Sequence, residues 1–245
     1  MNARKGYNAA MQAVILAAGR GTRMKDLTRE KPKPLLEVAG KSLLEHKFDI
    51  LPYDVDEVIL VVGYLGGEIH QKFGGTYKEK RLLYVEQETL DGTAGALWKA
   101  QGILNDRFLV MMGDDIYSRR DADRCIETNG WSMLVQETPH MHQGGNVITD
   151  ENGAITDIKE GDHEGKAGLV NTNMFVLDTR IFDYPLVPKS EGSSEYGLPQ
   201  TILAASKQSG IPLEAVTASF WFQITDPEDL TEAEKFLQGK GESTL

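Results

Sequence analysis

The residues best suited to chemistry lie in one stretch, LAAGRGTRMKDLTREKPKPLL, from position 16 to position 36. Gly19 and Gly21 let the backbone come close to a phosphate and turn its N–H groups toward it. Arg23 follows two residues later, with a guanidinium that can fork across phosphate oxygens. Lys33 stands between Pro32 and Pro34, which fix the backbone on both sides and aim one ammonium at a defined point. Together they describe a polyphosphate site. A strand–turn–helix connection with surface lysines would explain a bare Gly-x-Gly. It does not explain Gly-x-Gly-Thr-Arg followed by Pro-Lys-Pro at this spacing.

Such a loop needs elements to hold it. Residues 12–17, 57–63 and 108–112 are continuous apolar runs, expected of strands buried on both faces of a parallel sheet. Helical candidates at 43–50, 66–73 and 94–104 alternate with them, which predicts βαβ units. The second half differs. Residues 146–150 and 154–160 flank Asn152-Gly153 and predict a hairpin. Residues 169–177 read as a strand, 195–207 as a helix interrupted by Pro199, and 213–224 as one alternating, aromatic-rich strand. Asp226-Pro227 opens a last helix, with Asp as N-cap and Pro at the first helical position. Neither an internal repeat nor a low-complexity linker is present.

The chain has 245 residues and a formal net charge of −11. An acidic chain is a poor general nucleic-acid binder, because phosphate backbones demand excess Lys and Arg. It must handle phosphates with a few placed cations or a metal ion. Cys125 is the sole cysteine, which excludes an internal disulfide and fits a cytoplasmic setting. Neither a signal peptide nor a membrane span is expected. Residues 1–10 read as a flexible N-terminal arm and 11–245 as one domain.

The stretch at 16–36 resembles the signature L-x-x-G-x-G-T-R-L…P-K-P-L of the nucleoside-triphosphate:sugar-1-phosphate nucleotidyltransferases. The likeness continues to about residue 237. It implies a Rossmann-like three-layer α/β sandwich with a mainly parallel central sheet. A nucleotide half would cover about 11–130, and a hairpin-containing sugar half about 131–240. The nucleoside triphosphate would lie over Leu16, Ala17, Ala18, Gly19, Gly21, Thr22 and Arg23. Arg23 would hold the departing pyrophosphate, and Lys33 would neutralise the reacting phosphate. EQETLDGTAGALWKA, 86–100, is similar to the base-binding segment Q-x-x-x-x-G-x-A and adds Gln87, Gly92 and Thr93. A primary amide at Gln87 offers a donor beside an acceptor, which suits the imide edge of uracil or thymine. Gly92 would make room for base or ribose, and Gly95 for close packing of the helix.

MMGDD, 111–115, matches the family's Gly-Asp, whose acid binds Mg²⁺; Asp114 is the matching residue. Mg²⁺ favours one or two carboxylates plus substrate phosphates. Farther on, Gly145 would let the sugar approach the backbone, while Glu160 and Asn171 would line its pocket. Gly161 replaces the family's lysine, so Lys159 or Lys166 is needed there. Asn173 replaces a glycine. Gln223 replaces the second metal-binding acid, and Asp226, three residues on, could compensate.

The resemblance implies one in-line displacement that joins UTP or dTTP to a sugar 1-phosphate, releases pyrophosphate and requires Mg²⁺. No nucleic-acid or membrane partner is expected, and a homo-oligomer stays open. Two rivals remain. One is a cytidylyltransferase for phosphocholine or a similar alcohol, with Trp221, Phe222 and Tyr196 as its rings. The other is a catalytically silent nucleotide-sugar sensor. His140 and His142 read as residues of a surface loop, and Cys125 as a buried structural thiol.

Overall fold

The computed structural model describes residues 11–240; the N-terminal arm at 1–10 lies outside the described residues. The apolar runs of the first half form the central strands. Strand β1, Met11–Ala17, is followed by two short strands, β2 (Glu37–Val38) and β3 (Lys41–Ser42). Helix α1, Leu43–Ile50, then starts on a capping box: Ser42 Oγ accepts from Glu45 N, and the Glu45 carboxylate accepts from Ser42 N at 2.8 Å. Next come β4 (Val55–Val62), α2 (Gly66–Phe73), β5 (Thr76–Tyr77), β6 (Lys80–Glu86), α3 (Thr93–Trp98) and β7 (Arg107–Met112). Short β8 (Ile116–Tyr117) and α4 (Arg119–Glu127) close the first half. The helix expected over 94–104 stops at Trp98, and a short 3₁₀ turn, Gln101–Ile103, follows.

Strands β9 (Trp131–Thr149) and β10 (Ile155–Asp178) dominate the second half, followed by α5 (Leu198–Ser209), β11 (Leu213–Thr217), β12 (Trp221–Phe222) and α6 (Pro227–Lys240). One eight-stranded sheet runs β11-β9-β10-β7-β1-β4-β6-β5. Strands β7, β1, β4 and β6 are mutually parallel, whereas β10 runs antiparallel to both β7 and β9.

Alternation along β1 shows the three layers. Ala13, Ile15 and Ala17 pack with Leu44, Phe48, Ile69 and Phe73 of α1 and α2. Val14 and Leu16 pack on the other face with Ala94, Leu97, Ile202 and Ala205 of α3 and α5. The apolar runs are continuous because each strand feeds two cores. A third cluster joins Met24, Leu36 and Val38 to Ile224, Ala233 and Leu237. It ties the segment after β1 to the last helix.

Several expectations change in the second half. The hairpin is real but far longer than 146–160, and β9 begins at Trp131, whose indole is fully buried and donates to Asp178 Oδ2 at 3.0 Å. His140 and His142 therefore lie on a strand, not in a loop. Only Gly153 of the Asn152-Gly153 pair has positive φ; the turn is held by Asp150 Oδ1, which accepts from Asn152 N and Ala154 N. Pro199 sits in the first turn of α5, where its missing N–H costs nothing, so it starts that helix and does not interrupt it. The strand expected over 213–224 is two: β11 joins the main sheet, and β12 pairs with β8.

Candidate active site

Strand order turns around at β1. The chain leaves β1 toward β4 and β6 on one side and later returns to place β7 on the other. Open α/β sheets bind ligands at such a switch point, outside the carboxyl ends of the strands. The segments following β1 and β7 meet there, because Gly113 N donates to Leu16 O at 2.9 Å. A β-carbon on Gly113 would lie 3.1 Å from both Leu16 O and Ala17 Cβ. An open cleft of about 830 Å³ lies over this junction.

The first-half residues converge on the cleft. Leu16, Ala17, Ala18, Gly19, Gly21, Thr22, Arg23, Lys33, Gln87, Gly92, Thr93 and Asp114 all line it. Gly21 has φ 62, and a β-carbon there would touch Lys33 Cβ at 3.0 Å. The loop thus packs on the lysine stem. Lys33 is buried; its ammonium donates to Asp114 Oδ2 at 2.6 Å and to Ile224 O. Arg23 is exposed at the rim, with no ion-pair partner among the described residues.

Gln87 is buried, not solvated at a strand end. Its amide nitrogen donates to Asp91 Oδ1 at 2.8 Å and to Gly92 O at 3.1 Å. A ligand base that uses this donor must displace one of those acceptors. Gly92 answers a different need from the one expected. A β-carbon there would lie 2.3 Å from Tyr196 O and 2.6 Å from Tyr196 N, so the second-half backbone occupies that space. Gly95 makes room for the Asp91 carboxylate, 2.0 Å from its missing β-carbon. Thr93 Oγ1 accepts from Leu198 N at 3.0 Å and anchors the start of α5.

Across the cleft, Gly145 pairs with Glu160 in the β9–β10 register, and a β-carbon on Gly145 would lie 2.9 Å from Glu160 Oε1. That carboxylate accepts from Gln200 Nε2 at 2.9 Å. Asn171 and Asn173 bond twice: Asn171 Nδ2 donates to Asn173 Oδ1, and Asn173 N donates to Asn171 Oδ1, both at 2.9 Å. Asn173 has φ 59, a left-handed conformation that asparagine tolerates and that suits the glycine it replaces.

Two residues stay outside the cleft. Lys166 is exposed on the outer part of β10 and pairs with Glu164 at 2.7 Å, so it is not among the residues that line the cleft. Asp226 caps α6: its Oδ1 accepts from Glu228 N at 2.9 Å and Asp229 N at 3.3 Å, and Asp229 answers with bonds from Asp226 N and Thr225 N. Gln223 is exposed and does line the cleft. Sequence reasoning missed Lys189, Gln200 and Asn173 as lining residues. Lys189 is a lone cation in a segment without periodicity, so no local signal could have singled it out.

Among the described residues no three of His, Cys, Asp and Glu gather as a metal-ligand set. The aromatic rings do not form a cage. Tyr196 lines the cleft, whereas the Phe222 ring lies tilted by 46° against Phe236 and Trp221 Nε1 donates to Asp115 Oδ2 at 3.2 Å. Cys125 is buried, and burial pushes its thiol up to about 12, which makes it inert. Among the described residues no helix is long and apolar enough to cross a membrane.

A family model described as Nucleotidyl transferase matches residues 12–240. The chain is 31% identical to UTP–glucose-1-phosphate uridylyltransferase AglF of Haloferax volcanii, over 93% of this chain and 97% of that protein. It is 30% identical to the bifunctional protein GlmU of Methanocaldococcus jannaschii, over 94% of this chain and 55% of that protein, and so spans about half of it. Its fold matches that of a UDP-glucose pyrophosphorylase from Acinetobacter baumanii with a TM-score of 0.78, at 18% identity over 96% of each chain. With the family model matched over nearly the whole described chain, and a relative matched over more than nine-tenths of both chains, the chain belongs to the nucleotidyl transferase family.

Proposed function

We propose that the protein transfers a nucleoside monophosphate from UTP or dTTP to a sugar 1-phosphate and releases pyrophosphate. The carrying observation is the convergence of Gly19, Gly21, Arg23, Lys33 and Asp114 on one side of a cleft whose other side holds Glu160, Asn171 and Asn173. One side presents backbone N–H groups and cations to a triphosphate. The other presents carboxylate and carboxamide groups to hydroxyls. The relatedness to a UTP–glucose-1-phosphate uridylyltransferase supports the choice of UTP and of a hexose-type acceptor.

The reaction needs no nucleophile from the protein. A phosphate oxygen of the acceptor attacks the α-phosphorus in line, the bond to the β-phosphate oxygen breaks, and its electron pair leaves with pyrophosphate. Catalysis then consists of aligning two anions that repel and neutralising charge that shifts to the leaving group. Arg23, at the rim, would grip the pyrophosphate. Lys33 is fixed by Asp114 and the Ile224 carbonyl, so it meets the reacting phosphate without reorganising. Lys189, rather than Lys166, lines the acceptor side and would receive the incoming phosphate.

The donor set fits Mg²⁺ held mainly by substrate. Both acids line the cleft, but Asp114 is the more open, with 28% of its side chain exposed, whereas Asp115 is buried and accepts from Trp221 Nε1; Gln223 can add an amide carbonyl. That matches an ion that keeps few protein ligands and takes the rest from phosphates and water. It would supply positive charge between the phosphates.

Pyrophosphate release, measured across the nucleoside triphosphates and a panel of sugar 1-phosphates with Mg²⁺, tests the reading. UTP or dTTP should support the fastest turnover. A clear preference for GTP would overturn the base assignment, and no release with any sugar 1-phosphate would overturn the acceptor class.

A further inference from the structure

Two glycines make room for one pair of side chains at the acceptor side of the cleft. Glu160, on β10, is exposed, and its Oε1 accepts from Nε2 of Gln200, in the first turn of α5, at 2.9 Å. Both residues line the cleft. A β-carbon on Gly145 would lie 2.9 Å from Glu160 Oε1, and one on Gly197 would lie 1.8 Å from Gln200 Oε1. Neither glycine is needed for its backbone conformation: Gly197 has φ −87, and Gly145 has no positive φ. Ile158 Cγ2 and Lys189 Cα stand farther off, each at 3.2 Å, where small shifts give relief. The shortest contacts are those with the pair itself.

The amide can face only one way. Turned over, Gln200 would set its carbonyl oxygen against the Glu160 carboxylate, which offers acceptors alone. As it stands, Nε2 meets the carboxylate, and Oε1 is buried without a donor among the described residues. An orphaned carbonyl is unfavourable. A hydrogen bond to an exposed carboxylate adds little stability in return, because water serves that carboxylate nearly as well. The fold gains nothing here that an apolar side chain at position 200 would not also supply. What the arrangement does is fix Glu160. Its Oε1 is held, no described residue donates to its Oε2, and the side chain loses the rotamer freedom of a glutamate on an open strand surface.

We propose that Gln200 is a positioning residue for the acceptor. It holds Glu160 with one oxygen occupied and the other free to accept from a hydroxyl, so that a polyhydroxylated acceptor meets a carboxylate already in place. This rests on the reading of that side of the cleft as the acceptor side. Ordering a free glutamate on binding would subtract from acceptor affinity; Gln200 completes that ordering when the chain folds. The orphaned Oε1 is the local cost of this preorganisation.

Pyrophosphate release and thermal unfolding, measured on native protein, Gln200→Met, Glu160→Ala and the double variant, form a cycle. Methionine keeps the length and the helix propensity of glutamine and removes both polar atoms. Gln200→Met should lower kcat/KM for the sugar 1-phosphate roughly tenfold, the scale of one lost hydrogen bond to a charged group. KM for the nucleoside triphosphate should stay unchanged, and Tm should equal or exceed the native value. Added to Glu160→Ala, the substitution should change nothing further. An unaffected kcat/KM overturns the proposal. So does an effect that persists undiminished without Glu160, which would put Gln200 itself against the acceptor. A clear fall in Tm makes the pair structural and also overturns it. If the native protein turns over none of the sugar 1-phosphates, it is the acceptor reading that fails, and the proposal falls with it; turnover by the native protein beside an unchanged Gln200→Met removes the proposal alone.

Discussion

The same substitution at two glycines should have opposite consequences. Gly92 has φ 99 and ψ −179, a region essentially reserved for glycine. A β-carbon there would also lie 2.3 Å from Tyr196 O, a backbone atom that cannot swing aside as a flexible side chain can. The conformational strain costs about 1–3 kcal/mol and overpacking about 1–3 kcal/mol more. Gly92→Ala should therefore destabilise by about 2–6 kcal/mol, a large share of the roughly 5–15 kcal/mol that holds a native protein together. At about 2–4 °C per kcal/mol for a chain of this size, Tm should fall by several degrees or more. Gly19 has no positive φ, and its β-carbon would meet nothing within 4 Å. Gly19→Ala should leave stability within about 0.5 kcal/mol but place a methyl group where a phosphate must reach the backbone. Its kcat/KM should fall at least about tenfold, or about 1.4 kcal/mol of transition-state stabilisation.

Thermal unfolding by circular dichroism beside pyrophosphate release separates the two. A Gly92→Ala protein with native Tm would mean that the Tyr196 backbone does not cross there. A Gly19→Ala protein with native kcat/KM would mean that the triphosphate does not lie over this loop.

Other expected outcomes concern the cations, a cap and the metal. Arg23→Ala and Lys33→Met should each lower kcat by about 10²–10³, Arg23→Ala while unfolding near the native temperature and Lys33→Met with a lower Tm, because it strands Asp114 and the Ile224 carbonyl; a change confined to KM would remove them from the transition state. Burial pushes the Glu45 carboxyl up, but Lys72 and then Ser42 outweigh it and hold it down to about 2. A depressed carboxyl contributes stability above its unfolded value, near pH 4.3, that is lost as pH falls toward 2. Glu45→Gln, which can keep the capping box, should lower the urea midpoint at neutral pH and flatten its decline between those limits; an acid limb as steep as the native one would refute the linkage. Gln223→Asp should lower the Mg²⁺ concentration that half-saturates activity, and an unchanged or higher value would place Gln223 away from the metal.

The nucleotide side was legible because its information is local. Gly21, Arg23, Lys33 and the strand before them lie within about twenty residues, and the three side by side line one cleft. Buried parallel strands also announce themselves, since β1 and β7 carry apolar residues for both cores. The acceptor side was less legible because its contacts are long-range. A fully buried Trp131 begins a strand that local pattern did not mark, because the polar outer half of β9 hides the period of its inner half. Lys166 looked right as part of a loop leading into the strand at 169, yet β10 already runs through it, and it pairs with Glu164 away from the cleft.

Gly92 shows where the boundary of sequence reasoning falls. A glycine beside Gln87 invites the inference that a ligand needs the space. The space belongs to Tyr196, over a hundred residues away, whose N–H donates to Asp91 O at 2.7 Å and whose carbonyl accepts from Ala94 N at 3.1 Å. Thr93 bonds Leu198 N one step further on. Three consecutive residues, 92–94, thus pack against or bond to the segment leading into α5, and two of them, Gly92 and Thr93, also line the cleft. Either demand calls for the same residue type, and spacing alone does not separate them. The consequence is physical: the segment that would hold the base is laced to the backbone that leads into α5, so movement of the acceptor wall and occupation of the base site act on the same few hydrogen bonds.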